Sequence, residues 1–92
     1  MIIEAFFDDD DHEFLDISLS DFYKVEEYQS EFFSWLFDKN NDHKYWVVFN
    51  GHKIGCDYGI EAFIDWIRLY HNVGIRRIKP SDDNTNIPTL FF

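Results

Sequence analysis

The stretch Tyr45-Trp46-Val47-Val48-Phe49-Asn50-Gly51-His52-Lys53-Ile54-Gly55-Cys56-Asp57 decides how this chain folds. Two runs rich in β-branched and aromatic residues flank an Asn-Gly pair, and a two-residue loop of that composition suits a type I′ turn, which requires positive φ at both positions. A hairpin over residues 45–57 follows. Its expected register sets Phe49 opposite His52, Val47 opposite Ile54 and Tyr45 opposite Cys56 on one face. On the other face Val48 meets Lys53 and Trp46 meets Gly55.

Upstream of the hairpin, Lys39-Asn40-Asn41-Asp42 has the composition of a loop, with asparagines suited to a left-handed helix cap. Before it, Phe22, Val25, Tyr28, Phe32, Phe33, Trp35 and Leu36 fall on one side of a helix at 100° per residue, opposite Glu26, Glu27, Glu31, Ser34 and Asp38. One helix to about Asp38 is predicted, capped by Ser18 or Ser20, with Asp21 in its first turn. Further back, Ile2 to Phe7 and Phe14 to Leu19 read as two strands, Leu15, Ile17 and Leu19 sharing a face. The run Asp8-Asp9-Asp10-Asp11-His12 between them favours an exposed turn, because like charges repel and aspartate fits strands poorly.

Downstream, Asp57 is positioned to cap a second helix in which Ile60, Phe63, Ile64, Ile67 and Tyr70 form a core stripe. Ala62, Trp66 and Leu69 make a third side, so this helix either packs against two neighbours or shows an apolar patch. Ile75 to Lys79 fits a short edge strand guarded by Arg76, Arg77, Lys79 and Pro80. Ser81 to Asn86 reads as a polar linker, and the apolar tail Ile87 to Phe92 is expected to dock back on the domain or join a partner. The expectation is a single α+β domain over residues 1–92, in the order ββαββα with a short C-terminal strand: an antiparallel sheet with two amphipathic helices.

Ninety-two residues hold one core, and 19 aromatic rings exceed what folding alone requires. Net charge is −10, unevenly placed: residues 1–42 carry 13 acids and two bases, residues 43–92 five acids and six bases. That asymmetry argues against direct binding to nucleic acid or anionic membranes and for a basic protein partner. A surface that merely keeps the chain soluble is the competing explanation. One cysteine permits no internal disulfide, and with no basic and apolar leader or membrane-length run the chain is expected to be cytoplasmic.

Catalytic, metal and cofactor signals are sparse. Cys56 with His52 is the one thiol option, but its surroundings are acidic or apolar, which suits a structural thiol better than a nucleophile. His12, His43, His52 and His71 lack metal-ligand spacing, and Asp8, Asp10 and His12 lack the glycine and glutamate of a calcium loop. Acid/base hydrolysis by a carboxylate pair would need a cleft that so short a chain has little room to build. The reading is therefore of a protein that binds rather than catalyses, with no metal and no cofactor.

The candidate partner-binding residues are Asp8, Asp9, Asp10, Asp11, Glu13, Asp16, Glu26, Glu27 and Glu31, with Tyr58 and Trp66 as aromatic anchors. If the first hairpin and first helix pack side by side, these carboxylates converge into one field that steers a cationic partner and stands where phosphates would sit. In size, acidity and aromatic content the chain resembles small bacterial immunity proteins against nuclease toxins, as in toxin–antitoxin systems, and acidic phage-encoded inhibitors of DNA-binding defence enzymes. The resemblance covers composition alone and carries over no residue. It implies a nucleic-acid mimic that blocks the basic surface of a nuclease. A homodimer built on the tail and a Trp66–Leu69 patch is the alternative; a small thiol or acid/base enzyme is the third.

Overall fold

The computed structural model describes residues 1–8, 11–79 and 87–92 and is an α+β fold. A four-stranded sheet in the order β5-β2-β1-β6 is built from β1 (Ile2–Asp8), β2 (Asp11–Asp16), β5 (Arg76–Ile78) and β6 (Thr89–Phe91). β2 is antiparallel to both β1 and β5, whereas β6 runs parallel to β1. The helices α1 (Leu19–Phe22), α2 (Val25–Leu36) and α3 (Ile60–His71) supply the second layer. A separate two-stranded sheet is the hairpin of β3 (Trp46–Phe49) and β4 (His52–Cys56).

Alternation along the strands sets the sheet's inner face. Ile3 and Ala5 of β1, Leu15 of β2 with Ile17 just beyond it, and Leu90 of β6 are all buried, and Ile75 completes this layer beside β5. From the helices come Val25, Tyr28, Phe32 and Leu36 of α2 and Ile60, Phe63, Ile64 and Ile67 of α3. Phe32 lies at the centre, its ring edge-on to Phe63 at 5.4 Å and to Trp66 at 5.7 Å between centroids. The apolar tail does dock: Glu4 donates its backbone N–H to Pro88 O at 2.9 Å, Phe92 donates to Phe6 O at 2.7 Å, and the Phe92 ring stacks on Phe7 at 4.7 Å. Gln29 of α2 donates its side-chain amide to Phe91 O, which covers part of the free edge of β6.

The first hairpin is present but tighter than the aspartate run suggests. Strand pairing extends to Asp8 and Asp11, with Phe7 as an extra residue where the register shifts. Asp11 and His12 therefore lie in β2 instead of the turn, Glu13 lies in β2 as well, and β2 ends at Asp16 instead of Leu19. Leu19 opens α1 and is exposed, so it leaves the face that Leu15 and Ile17 share. Asp9 and Asp10 lie outside the described residues, as do Pro80 and the linker Ser81 to Asn86.

Ser18 is the cap of α1, its Oγ accepting the N–H of Asp21 at 3.2 Å. The single helix expected to Asp38 is instead two, broken at Tyr23 and Lys24. Lys24 donates to Asp21 O and offers its own carbonyl to Tyr28 N, so the chain changes direction without leaving those backbone groups unpaired. The left-handed cap expected at Asn40 or Asn41 occurs at Asn72, φ 53°, after α3. Asn41 satisfies a helix end by another route, its side-chain amide donating to Trp35 O at 2.9 Å.

In the second hairpin, Asn50 and Gly51 have φ of 51° and 76°, the two positive values that the turn demands. Phe49 faces His52 and Val48 faces Lys53 as expected, but Ile54 is an extra residue, so Val47 meets Gly55 and Trp46 meets Cys56. Trp46 covers no glycine gap. It stacks on His43 at 5.0 Å, takes Lys53 over its ring and donates Nε1–H to Asn41 O at 2.6 Å. Gly59 precedes α3 in extended conformation without a side-chain cap, so Asp57 does not cap that helix; its backbone N–H instead closes the hairpin onto Tyr45 O at 2.8 Å. Tyr70 is exposed, and the α3 core stripe ends at Ile67.

Candidate functional site

The sheet buries one face only, and the opposite face carries a cross-strand set of side chains. Register and alternation place Ile2, Glu4 and Phe6 of β1, His12, Phe14 and Asp16 of β2, Arg76 and Ile78 of β5, and Thr89 and Phe91 of β6 on that side. Phe91, Phe6 and His12 stack in a row across three strands, with centroids 5.6 Å and 5.4 Å apart, and Phe14 meets His12 edge-on at 5.7 Å. Among the described residues no ring of the helical layer reaches this row. Phe91 keeps 72% of its surface exposed, a cost in water that a partner's contact would remove.

Polar groups interleave with the rings. His12 Nδ1 donates to Glu4 Oε2 at 3.1 Å, which fixes both side chains beside Phe6 and Phe14. Arg76 donates through Nε and Nη2 to Asp16 Oδ2 at 3.3 and 3.1 Å, and the amino group of Met1 lies 3.3 Å from Asp16 Oδ1. The hydrogen bond from that amino group, then the one from Arg76, holds the Asp16 carboxyl below its ordinary pKa. A depressed folded value adds stability that is present above the unfolded pKa and lost as pH falls through the folded one. Asp16→Asn should therefore lose less stability than the parent chain between pH 6 and about pH 3. Equal drops in urea midpoint for the two proteins would show that the pairing is not linked to folding.

Among the described side chains, the carboxylates singled out from the sequence have separate surroundings. Glu13 pairs with Arg77 at 2.6 Å, and Arg77 reaches Glu61 at 2.5 Å, so Glu13 ties β2 to β5 and α3. Asp16 is held as described, and Glu31 accepts from His71 Nε2 at 2.6 Å, linking α2 to α3. Glu26 and Glu27 are exposed and have no ion pair among the described residues. Rings Phe7, Tyr58 and Phe37 contact in sequence, which brings the end of β1 that carries Asp8 to the C-terminal end of α2. Glu26 sits about 15 Å along the helix from that end. Because β1 and α2 run in the same direction, Glu26 lies at the opposite end of α2 from the Asp8 end of β1.

Of the two proposed anchors, Trp66 is 5% exposed and belongs to the core, where it packs on Phe32 and Phe63. Only Leu69 of the expected Trp66–Leu69 patch remains at the surface. Tyr58 is partly buried among Phe7, Phe32, Phe33 and Phe37. Glu4, Phe6, His12, Phe14 and Phe91 are the site residues that reading the sequence missed. A strict alternation count from Ile3 would have found those of the first hairpin.

Family models, curated proteins and solved structures yield no match to this chain. Chemistry must therefore be read from the residues themselves. Cys56 donates from Sγ to Leu36 O at 3.4 Å, and burial raises its pKa, which favours the unreactive thiol at neutral pH. Among the described residues no three of histidine, cysteine, aspartate and glutamate gather as a metal site, and no helix is long and apolar enough to cross a membrane.

Proposed function

We propose that this chain is an acidic, immunity-type binding protein that blocks the basic, nucleic-acid-binding surface of a partner enzyme such as a toxin or defence nuclease. The uncovered face of its sheet makes the contact. One observation carries the reading: the ring row Phe91–Phe6–His12, with Phe14, on the outer face of the sheet, where Phe91 and His12 are exposed and Phe6 and Phe14 half-buried. Stacked rings supply rigid contact area at low entropic cost, and a β-sheet pre-organises them. Carboxylates flanking such anchors set capture rate and register, with steering toward about 10⁸ M⁻¹s⁻¹ at low salt.

The test uses three proteins: the parent chain, the double variant Phe6→Ala/Phe91→Ala, and a variant with Asp8 to Asp11 replaced by asparagine. Each is added to a lysate of the source cell or its competitor, and nuclease activity is followed at low and moderate salt. The parent chain is expected to retain and silence a basic nuclease. The aromatic variant should weaken inhibition by about tenfold or more, because ring anchors dominate interface energies. The asparagine variant should slow association and flatten its salt dependence. Nuclease activity that persists unbound beside the parent chain at low salt would refute the reading.

A further inference from the structure

A groove of 260 Å³ opens at the β6 edge, bounded by α1, the first turn of α2 and the segment leading into β6. Phe22 and Val25 form one apolar wall and Pro88 and Leu90 the other, while Tyr23 and Glu26 stand beside them. Sites that take drug-sized molecules span about 300–1,000 Å³, so this one matches a single side chain rather than a cofactor. Its chemistry is mixed in one specific way. The walls are apolar, Tyr23 offers an aromatic ring that is 76% exposed, and Glu26 is exposed with no ion pair among the described residues. Asp21 stands nearby but is engaged by Ser18 and the Tyr28 hydroxyl.

From this geometry we infer that the groove is a receptor for one arginine side chain presented by a basic protein partner. Its methylene stem lies along Val25 and Leu90, its guanidinium stacks on Tyr23, and Glu26 accepts its N–H groups. Charge complementarity selects the occupant: an apolar slot with a single free carboxylate suits an apolar stem that ends in a cation. Arginine fits better than lysine, because a guanidinium is planar, stacks on rings and gives up water more readily than an ammonium. The inference rests on the proposed binding role and assigns that partner one anchor residue. Lys24, two residues before Glu26 in sequence, is exposed and does not line the groove.

The experiment is a methyl NMR titration of the full chain with a capped hexa-arginine peptide and its hexa-lysine counterpart, at low and moderate salt. Binding in the groove shifts the Val25 and Leu90 methyl signals, leaves Ile78 on the far side unchanged, and favours the arginine peptide. Glu26→Gln and Tyr23→Ala, both exposed positions where folding is little affected, should each weaken the arginine peptide by about threefold to fivefold. Shifts that spare Val25, Leu90 and the groove-lining Ile3, and that are unaltered by Glu26→Gln, would overturn the groove while leaving the binding role intact. Equal response to both peptides would overturn the arginine assignment. Absence of any peptide binding would remove the groove as a cation receptor, whereas the binding role itself stands or falls separately on nuclease inhibition.

Discussion

A chain carrying Phe32→Ala loses about 3–5 kcal/mol of stability, the cost of deleting a fully buried phenylalanine ring and leaving its cavity. Total stability for 92 residues is of the order of 5–14 kcal/mol, so this one change consumes a large part of it or all of it. The site cannot collapse to fill the gap. Phe32 is 0% exposed and touches rings from four directions, with Phe63 and Trp66 from α3, Tyr58 from the segment before α3, and Phe92 from the tail. Urea unfolding followed by tryptophan fluorescence gives the number directly, since Trp66 lies against the ring that is removed. A loss below about 1 kcal/mol would mean that the four neighbours relax into the space.

Leu90→Asp has an effect of similar size by a different cause. Leu90 is 7% exposed and pairs with Ala5 in the parallel register of β1 and β6. A carboxylate there must either stay protonated or stay wet, and in both cases β6 is pushed off the sheet. The expected outcome is a loss of about 3 kcal/mol or more at neutral pH, partly recovered in mild acid as the new carboxyl becomes neutral. Unfolding midpoints at pH 7 and pH 5 test both parts. If the variant is as stable as the parent, the tail does not need to be docked for the domain to fold, and its place in a partner's surface must be reconsidered.

The elements that could be read from the sequence are those whose local chemistry admits one answer. Asn50-Gly51 demanded positive φ twice, and the structure has it; Ser18 and Ser20 both suit a cap by residue type and position, and Ser18 is the one. The expected register failed at Ile54, an extra residue that no local rule demanded, and Phe7 is a second extra residue in the first hairpin, for which no register was drawn. The aspartates disguised the start of β2, because their poor strand propensity outweighed the pairing that Phe6 and Ala5 offer to His12 and Glu13.

At the site, Trp66 looked like an anchor because it falls off the main apolar stripe of α3, on a third side of the helix. α2 brings Phe32 against the third side and turns it into core. The opposite error hid the sheet's outer face. Ile2 to Phe7 reads as an apolar strand broken only by Glu4, although Ile3, Ala5 and Phe7 point one way and Ile2, Glu4 and Phe6 the other. Phe91 belonged to no readable pattern until a parallel partner 85 positions away gave it a face.

That parallel pairing also orders events in time. β1 is a central strand, yet only its β2 side can be matched by residues close to it in sequence. During synthesis at about 5–20 residues per second, its other edge waits several seconds for residues 89–91 to be made. Contacts of such long span slow the final closure of a sheet. Until then Ile3 and Ala5 lie beside an unpaired backbone edge, and the neighbouring Glu4 and the run from Asp8 to Asp11 place like charges on every nascent copy. The same acidity that would draw a basic partner to the folded protein thus keeps unfinished chains from pairing with one another.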